Sequence, residues 1–288
     1  MGWKDSMNKL SRVLEWKTFT PRLEDLISEE EQIVVFSDTH LGWEKSKKRE
    51  FERFLDYLKD KMERDDLDVV VANGDIVELW RRDDFKVLME NLHTLGKLSE
   101  LGEKCKVYWI VGNHDYVLKE LFSTKPENLI NFLRELVLKH RDQKFRFVHG
   151  DQYDPTEVEW FFIPLCKGTN DLSGELLYEI GGGVLGGIRS AIGKCFAHTF
   201  LKTYLSGQFR ERSKEMLRTP EERGIIEIVE RNAKEDVKSD EFLIFSHTHK
   251  ALVDQKSRVA NPGSWVEGSP NENTYLTIRR GKVKLNEF

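Results

Sequence analysis

Cysteine is scarce in this sequence and shows no pairing pattern: Cys105, Cys166 and Cys195 are widely separated, odd in number and form no CxxC motif. That leaves no basis for a disulfide-stapled scaffold, a zinc ribbon or a dithiol redox site, and implies reduced thiols in a cytoplasmic protein. Long hydrophobic runs are also missing. No stretch approaches the roughly 20 apolar residues that a spanning helix needs. Lys4, Asp5, Lys9, Arg12 and Glu15 interrupt the start of the chain, where a signal peptide would carry its apolar block. The expectation is a soluble, unprocessed protein. Positive charge is not in excess either: 45 Lys and Arg stand against 50 Asp and Glu, a net charge of −5, which argues against a broad basic face for duplex nucleic acid. Internal repeats and low-complexity linkers are absent, leaving a globular enzyme as the default class.

What is present is a chain of 288 residues, 39% apolar and 33% charged, long enough to bury a sizeable core. Trp3, Met7, Leu10 and Leu14 recur at helical spacing, so residues 1–32 read as an accessory segment carrying a helix. From Ile33 short apolar runs alternate with amphipathic stretches. Ile33 to Phe36, Val69 to Ala72, Val107 to Val111 and Phe145 to Val148 predict strands. Between them, three stretches predict helices: Phe51, Phe54, Leu55, Leu58 and Met62; then Phe85, Leu88, Leu92 and Leu95; then Leu129, Leu133 and Leu136. This βαβ rhythm implies a largely parallel, helix-covered sheet. It breaks between Asp151 and Asp240, where Trp160, Phe161 and Phe162 lead into helical patterning and a glycine-rich turn at Gly181 to Gly187. Residues 151–239 therefore read as an inserted helical cap on a core of 33–150 and 240–288. Strands resume at Phe242 to Phe245 and Arg258 to Ala260, and Tyr275 to Leu285 reads as a hairpin turning at Arg280-Gly281.

Five strand segments end in residues that bind metals well. VVFSDTH ends in Asp38 and His40, VVVANGD in Asp75, WIVGNHD in Asn113 to Asp115, FRFVHGD in His149, and FLIFSHTH in His247 and His249. Taken singly, each has an ordinary reading as a turn, a helix cap or a hydrogen-bonded histidine. Together they converge, because the carboxyl ends of strands in an open α/β sheet line one crevice. A cluster of carboxylates and imidazoles buried there needs cations to balance it. Residues two apart on an extended segment point to one side, which would pair Asp38 with His40 and His247 with His249. Gly74, Gly112 and Gly150 would let the backbone turn sharply beside them.

This succession of blocks, from about Ile33 to Gly263, resembles the calcineurin-like metallophosphoesterases. The resemblance implies an α/β sandwich with helices covering the sheets and an inserted helical cap. It also implies that Asp38, His40, Asp75 and His249 hold one metal ion and that Asp75, Asn113, His149 and His247 hold a second, with Asp75 bridging. Ser246 stands where that family usually has glycine. Four segments, GDIVELWRRDD at 74–84, HGDQYD at 149–154, SHTHKA at 246–251 and GSWVEG at 263–268, are similar to one branch, the UDP-2,3-diacylglucosamine diphosphatases of lipid A synthesis. That branch also carries a helical cap, which holds acyl chains, and it has arginine where this chain has His114.

Two ions about 3.5–4 Å apart would activate a shared water and clamp the attacking and departing oxygens of an in-line displacement. Mixed histidine and carboxylate ligation favours Mn, with Fe or Zn as alternatives. His114, beside Asn113, is the expected proton donor to the leaving group, with Asp115 orienting its ring. Leu185, Ile188, Ile192, Phe196 and Phe200 form a cap stripe that either packs on the core or, with Trp160 and Phe161, forms an apolar slot. Trp80, Trp160, Phe161 and Arg189 are the candidate substrate-binding residues. Arg189, with Lys194 and Lys202, would meet phosphate or, as a peripheral contact, a membrane surface. The reading is a binuclear hydrolase of phosphate ester or diphosphate bonds, on a nucleotide-linked or lipid-linked small molecule. The alternative is an Mre11-like nuclease or phosphodiesterase, whose opening motif Asp38-Thr39-His40-Leu41-Gly42 also resembles. The acidic charge tells against a nucleic-acid partner.

Overall fold

Runs of β-branched and aromatic residues with no polar alternation make strands that are covered on both faces. β2 (Ile33–Phe36), β3 (Val69–Ala72) and β8 (Glu241–Ile244) are buried at every position. The computed structural model describes residues 22–28, 31–79, 82–121, 128–140, 143–154 and 220–288. The chain divides into two compact units, Met1–Pro155 with Ile225–Phe288, and Thr156–Gly224. The helix expected over Trp3 to Leu14 and most of the cap, including its Leu185 to Phe200 stripe, lie outside the described residues.

Two six-stranded sheets form the first unit, not the single sheet that the βαβ rhythm suggests. One joins β2 and β3 to β4 (Lys106–Ile110), β5 (Asn131–Leu133), β11 (Thr274–Arg279) and β12 (Lys282–Glu287), in the order β12-β11-β2-β3-β4-β5. The other joins β8 to β1 (Arg22–Leu26), β6 (Glu135–His140), β7 (Gln143–Val148), β9 (Leu252–Asp254) and β10 (Val259–Asn261), in the order β1-β6-β7-β8-β10-β9. Pairing is parallel along β2-β3-β4-β5, β7-β8-β10 and β1-β6, and antiparallel at the β6-β7, β9-β10 and β11-β12 hairpins and where β11 joins β2. The last hairpin turns through Arg280 and Gly281, both at positive φ, as its sequence predicts.

Alternation along each strand decides what it touches. Ile33, Val35, Val69, Val71, Tyr108 and Ile110 of one sheet meet Leu136, Leu138, Phe145, Phe147, Phe242 and Ile244 of the other, forming the core between the layers. On the reverse face of β2, the Phe36 ring lies 5.1 Å from Phe51 and 5.8 Å from Phe54. Those two belong to α1 (Lys48–Glu63), which buries the whole predicted stripe of Phe51, Phe54, Leu55, Leu58 and Met62. On the other sheet, Val229 and Ala233 of α4 (Pro220–Glu235) pack with Val148, Leu243, Phe245 and Val259.

Two expected helices differ. Leu129, Leu133 and Leu136 do not share a helix: Leu133 ends β5 in one sheet and Leu136 sits in β6 of the other, where Leu136 and Leu138 alternate into the core. Spacing alone fits either geometry, and only the sheet pairing separates them. The segment from Phe85 to Leu95 is two helices, α2 (Asp84–Glu90) and α3 (Leu92–Leu101), broken at Asn91. The Asn91 side chain donates to the Val87 carbonyl at 2.7 Å. The break shifts the phase, so Val87, Thr94, Leu98 and Leu101 are buried while Phe85 and Leu92 are 71% and 54% exposed. Within the 1–32 segment, β1 forms an edge strand beside β6 that the sequence pattern does not announce.

Phe54 is fully buried, with rings of Trp265 and Tyr275 each 4.8 Å away. Phe54→Ala is expected to cost about 3–5 kcal/mol, read as a lower midpoint in urea unfolding; a loss under about 1 kcal/mol would mean that the α1 interface closes over the cavity.

Candidate metal centre

The ends of β2 and β3 remain paired beyond the regular ladder. Asp38 N donates to Gly74 O at 3.0 Å, His40 N to Asp75 O at 2.9 Å and Leu41 N to Ile76 O at 2.9 Å. The chain holds this course by placing Asp38 at φ 50°, His40 at φ 43° and Asp75 at φ 54°, and His247 and His249 repeat the geometry at φ 70° and 56°. Left-handed backbone at a residue with a Cβ costs on the order of 1–3 kcal/mol and concentrates at functional sites. The grouping of Asp38 with His40 therefore comes from kinked left-handed residues and not from an extended strand, and His247 and His249, expected as a pair, fall into different groups.

Gly74, at φ 94°, makes the predicted turn, and a Cβ there would stand 2.2 Å from His149 Nδ1. Gly112 serves by space instead: its φ is not positive, but a Cβ would lie 2.3 Å from Asp75 Oδ1.

Each candidate imidazole has one ring nitrogen beside an acceptor, which selects the tautomer and leaves the other nitrogen's lone pair free for a cation. His40 Nδ1 meets Glu78 Oε2 at 3.0 Å, and His149 Nδ1 meets the Asn73 carbonyl at 3.0 Å. His247 Nε2 meets Asp154 Oδ2 at 2.9 Å. His249 Nδ1 lies 3.3 Å from Ser264 Oγ, whose hydroxyl donates to the Asp38 carbonyl at 3.0 Å and so offers His249 a lone pair. The inward atoms then crowd together. His40 Nε2 is 3.2 Å from His249 Nε2 and 3.7 Å from Asp75 Oδ2, and His149 Nε2 is 3.1 Å from both Asp75 Oδ2 and Asn113 Oδ1.

Two groups result around the carboxylates, Asp38 with His40 and His249, and Asp75 with His149 and His247, each with ligand atoms within 4.8 Å of one another; His40 with Glu78 and His114 forms a third at the same spacing. Both carboxylate oxygens of Asp38 are buried without a well-formed hydrogen bond, and the nearest partner, His249 Nε2, stands 3.3 Å from Oδ1. A buried carboxylate so weakly satisfied is costly, and a divalent cation between it and the imidazoles relieves the cost. The donor set of hard oxygens and imidazoles suits such an ion.

Charge around the site is divided unevenly. Burial pushes His40 down to about 4, outweighing the pull of Glu78. At His149 burial acts the same way, but the Asp75 and Asp38 carboxylates overcome it and raise the ring to about 10. Burial would raise Asp75, yet the charges of His149 and His114 hold it well below the usual carboxylate range. Asp75 thus demands a positive neighbour, whether a proton on His149 or a cation in its place.

His114 is buried, donates its backbone N–H to Asp75 Oδ1 at 2.8 Å, and sets its ring edge-on to His40 with centroids 4.6 Å apart. Its Nδ1 meets Glu78 Oε1 at 2.9 Å. Glu78 is therefore the orienting residue, not Asp115. The Asp115 carboxylate accepts from Ile76 N at 2.9 Å, Trp109 Nε1 at 3.0 Å and Gly112 N at 2.6 Å, and so ties the loop after β3 to the loop after β4. Burial, reinforced by the Asp75 charge, pushes Asp115 up to about 7. Sequence reasoning placed Glu78 in a motif without giving it this task, and it missed Asn73, Asp154 and Ser264 as outer partners. Asn73, Glu78 and Asp154 lie within five residues of a proposed ligand, the one signal they carry, whereas Ser264 lies 15 residues beyond His249. Ser246 earns its place by accepting from Asn73 Nδ2 at 2.7 Å. Trp80, Trp160, Phe161 and Arg189 lie outside the described residues.

A family model described as calcineurin-like phosphoesterase matches residues 32–251. Among curated proteins, UDP-2,3-diacylglucosamine hydrolases of Shewanella baltica strains OS185 and OS155 are 38% and 37% identical over 73 residues. That stretch is 25% of this chain and spans only 28% of the length of those relatives. Among solved structures, the phosphoesterase Yfce from E. coli aligns at 13% identity and a TM-score of 0.40, covering 88% of this chain and 98% of that one. Vacuolar protein sorting 29 from Cryptosporidium parvum aligns at 14% identity and a TM-score of 0.38, covering 89% and 96%.

Because Asp75 Oδ2 faces both groups, Asp75→Asn is expected to weaken cation binding by more than the roughly 10–100-fold typical of residues that only orient a ligand. Isothermal titration with Mn(II) measures this, with an unchanged far-ultraviolet circular dichroism spectrum showing that the fold persists; wild-type affinity in the variant would refute the placement of Asp75.

Proposed function

The chain belongs to the calcineurin-like phosphoesterase family, and from that premise we propose that it hydrolyses phosphate ester or diphosphate bonds at two divalent cations. Asp38, His40, Asp75 and His249 would hold one, and Asp75, Asn113, His149 and His247 the other. The observation that carries this is the set of four imidazoles, each tied by one nitrogen to an acceptor, gathered around the buried Asp38 and Asp75 carboxylates with the ligand atoms of each group within 4.8 Å of one another. Bound there, the cations would supply Lewis acidity, lowering the pKa of a water toward neutrality and offsetting charge on the phosphoryl oxygens. Asn113 contributes a neutral oxygen, which limits the negative charge of the set. Manganese is the favoured ion, with iron and zinc as alternatives.

His114 and Glu78 would act together on the leaving group. With Nδ1 held by Glu78, the ring presents Nε2 as the proton-donating atom, and the carboxylate stabilises the protonated imidazole until the proton moves. The same carboxylate holds His40, so one residue aligns a proposed ligand and the proposed acid. Partial likeness to proteins named UDP-2,3-diacylglucosamine hydrolase supports a nucleotide-linked or lipid-linked substrate. The net charge of −5 sets the nuclease reading behind this one.

Two outcomes test the proposal. The purified chain should take up about two equivalents of Mn(II), lose hydrolysis of aryl phosphates on chelation and regain it on reloading; full activity after exhaustive chelation would end the proposal. His114→Gln should slow hydrolysis of alkyl phosphodiesters by about 10²–10⁴-fold. Nitrophenyl esters, whose leaving group departs readily as an anion, should be barely affected. Equal slowing on both, at unchanged metal content, would show that His114 stabilises phosphoryl charge and donates no proton.

A further inference from the structure

Arg134 stands at the crossing between the two sheets, between Leu133 at the end of β5 and Glu135 at the start of β6. Its Nη1 donates to the Val111 carbonyl at 2.7 Å, and its Nη2 donates to both oxygens of Asp151 at 2.6 Å. Both side chains are buried, Arg134 at 9% and Asp151 at 2% exposure. Val111 N also donates to Leu133 O at 2.8 Å, so residues 133 and 134 pin both backbone groups of Val111. Asn113 follows Val111 by two residues, and Asp151 follows His149 by two. One guanidinium therefore joins the loop that carries Asn113 to the loop that carries His149, across the gap between the sheets.

A buried ion pair is a poor way to gain stability, since apolar residues of similar size often serve as well or better. What the pair does supply is direction. The planar fork of arginine fixes two acceptors at set angles, which lysine does not reproduce. The two ligand atoms that depend on these loops, Asn113 Oδ1 and His149 Nε2, stand 3.1 Å apart. Both lie in the group built around Asp75. The other group is braced separately, by Ser264 Oγ and Trp265 N, which both donate to the Asp38 carbonyl.

We propose that Arg134 and Asp151 form a positioning pair that sets the affinity of the Asp75–Asn113–His149–His247 cation position and leaves the Asp38–His40–His249 position unaffected. The inference rests on the binuclear reading above. It is tested by titrating Mn(II) into metal-stripped wild-type chain and into the paired variant Arg134→Met with Asp151→Leu, which removes both charges at once. Calorimetry counts the equivalents, and electron paramagnetic resonance distinguishes isolated Mn(II) from a spin-coupled pair. The wild type should bind two equivalents and show the coupled signal. The variant should bind the first equivalent with wild-type affinity and the second about 10–100-fold more weakly, keeping the isolated signal at two equivalents. Wild-type loading in the variant, or equal weakening of both equivalents, would overturn the proposal. Should the paired variant fail to fold, Arg134→Lys replaces it: selective loss of the second equivalent supports the proposal and wild-type loading overturns it. A wild-type chain that takes up a single equivalent would overturn the binuclear reading, and this inference with it.

Discussion

Negative charge held out of water is the constraint from which the rest of this structure follows. Asp38 and Asp75 are buried at the ends of adjacent strands, and no well-formed hydrogen bond reaches either oxygen of Asp38, whose nearest partner is His249 Nε2 at 3.3 Å. Such carboxylates need a cation to offset them, and the fold surrounds them with the imidazoles of His40, His149, His247 and His249, which can share one. The rise of His149 to about 10 shows how strongly Asp75 calls for a counter-charge. A cation answers that demand better than a proton because it can be shared by several ligands at once.

Bringing these groups together strains the backbone. Five of the seven proposed ligands, Asp38, His40, Asp75, His247 and His249, sit at positive φ. The rigid parallel ladder of β2 with β3 and the closely packed sheets hold them there, and glycine at 74 and 112 leaves room where any side chain would collide with His149 or Asp75. The core between the sheets thus does more than stabilise. It supplies the stiffness that keeps strained loops in register.

Outer partners complete the arrangement. Glu78 reaches both His40 and His114, Asn73 reaches His149 through its carbonyl and Ser246 through its side chain, and Asp154 reaches His247. Each of these settles which nitrogen of an imidazole faces inward, and that choice decides whether the ring can ligate at all. Asp115, for all its proximity to His114, is spent on two backbone N–H groups and the Trp109 indole.

The strands β2, β3, β4, β7 and β8, the α1 stripe, the final hairpin and the order of candidate ligands at strand ends were all legible in the sequence. They depend on local periodicity and on which residue types close an apolar run, both of which are written within a few neighbouring positions. The split of the strands into two sheets was legible only through the family resemblance, not from the strand and helix rhythm, and the placement of Leu133 and Leu136 on different sheets and the exposure of Phe85 and Leu92 were not legible. Nor were the orienting role of Glu78 and the tie from Arg134 to Asp151. Each of these turns on a contact between residues far apart in the chain, and hydrogen-bond direction and burial across such distances exist only once the two sheets have packed.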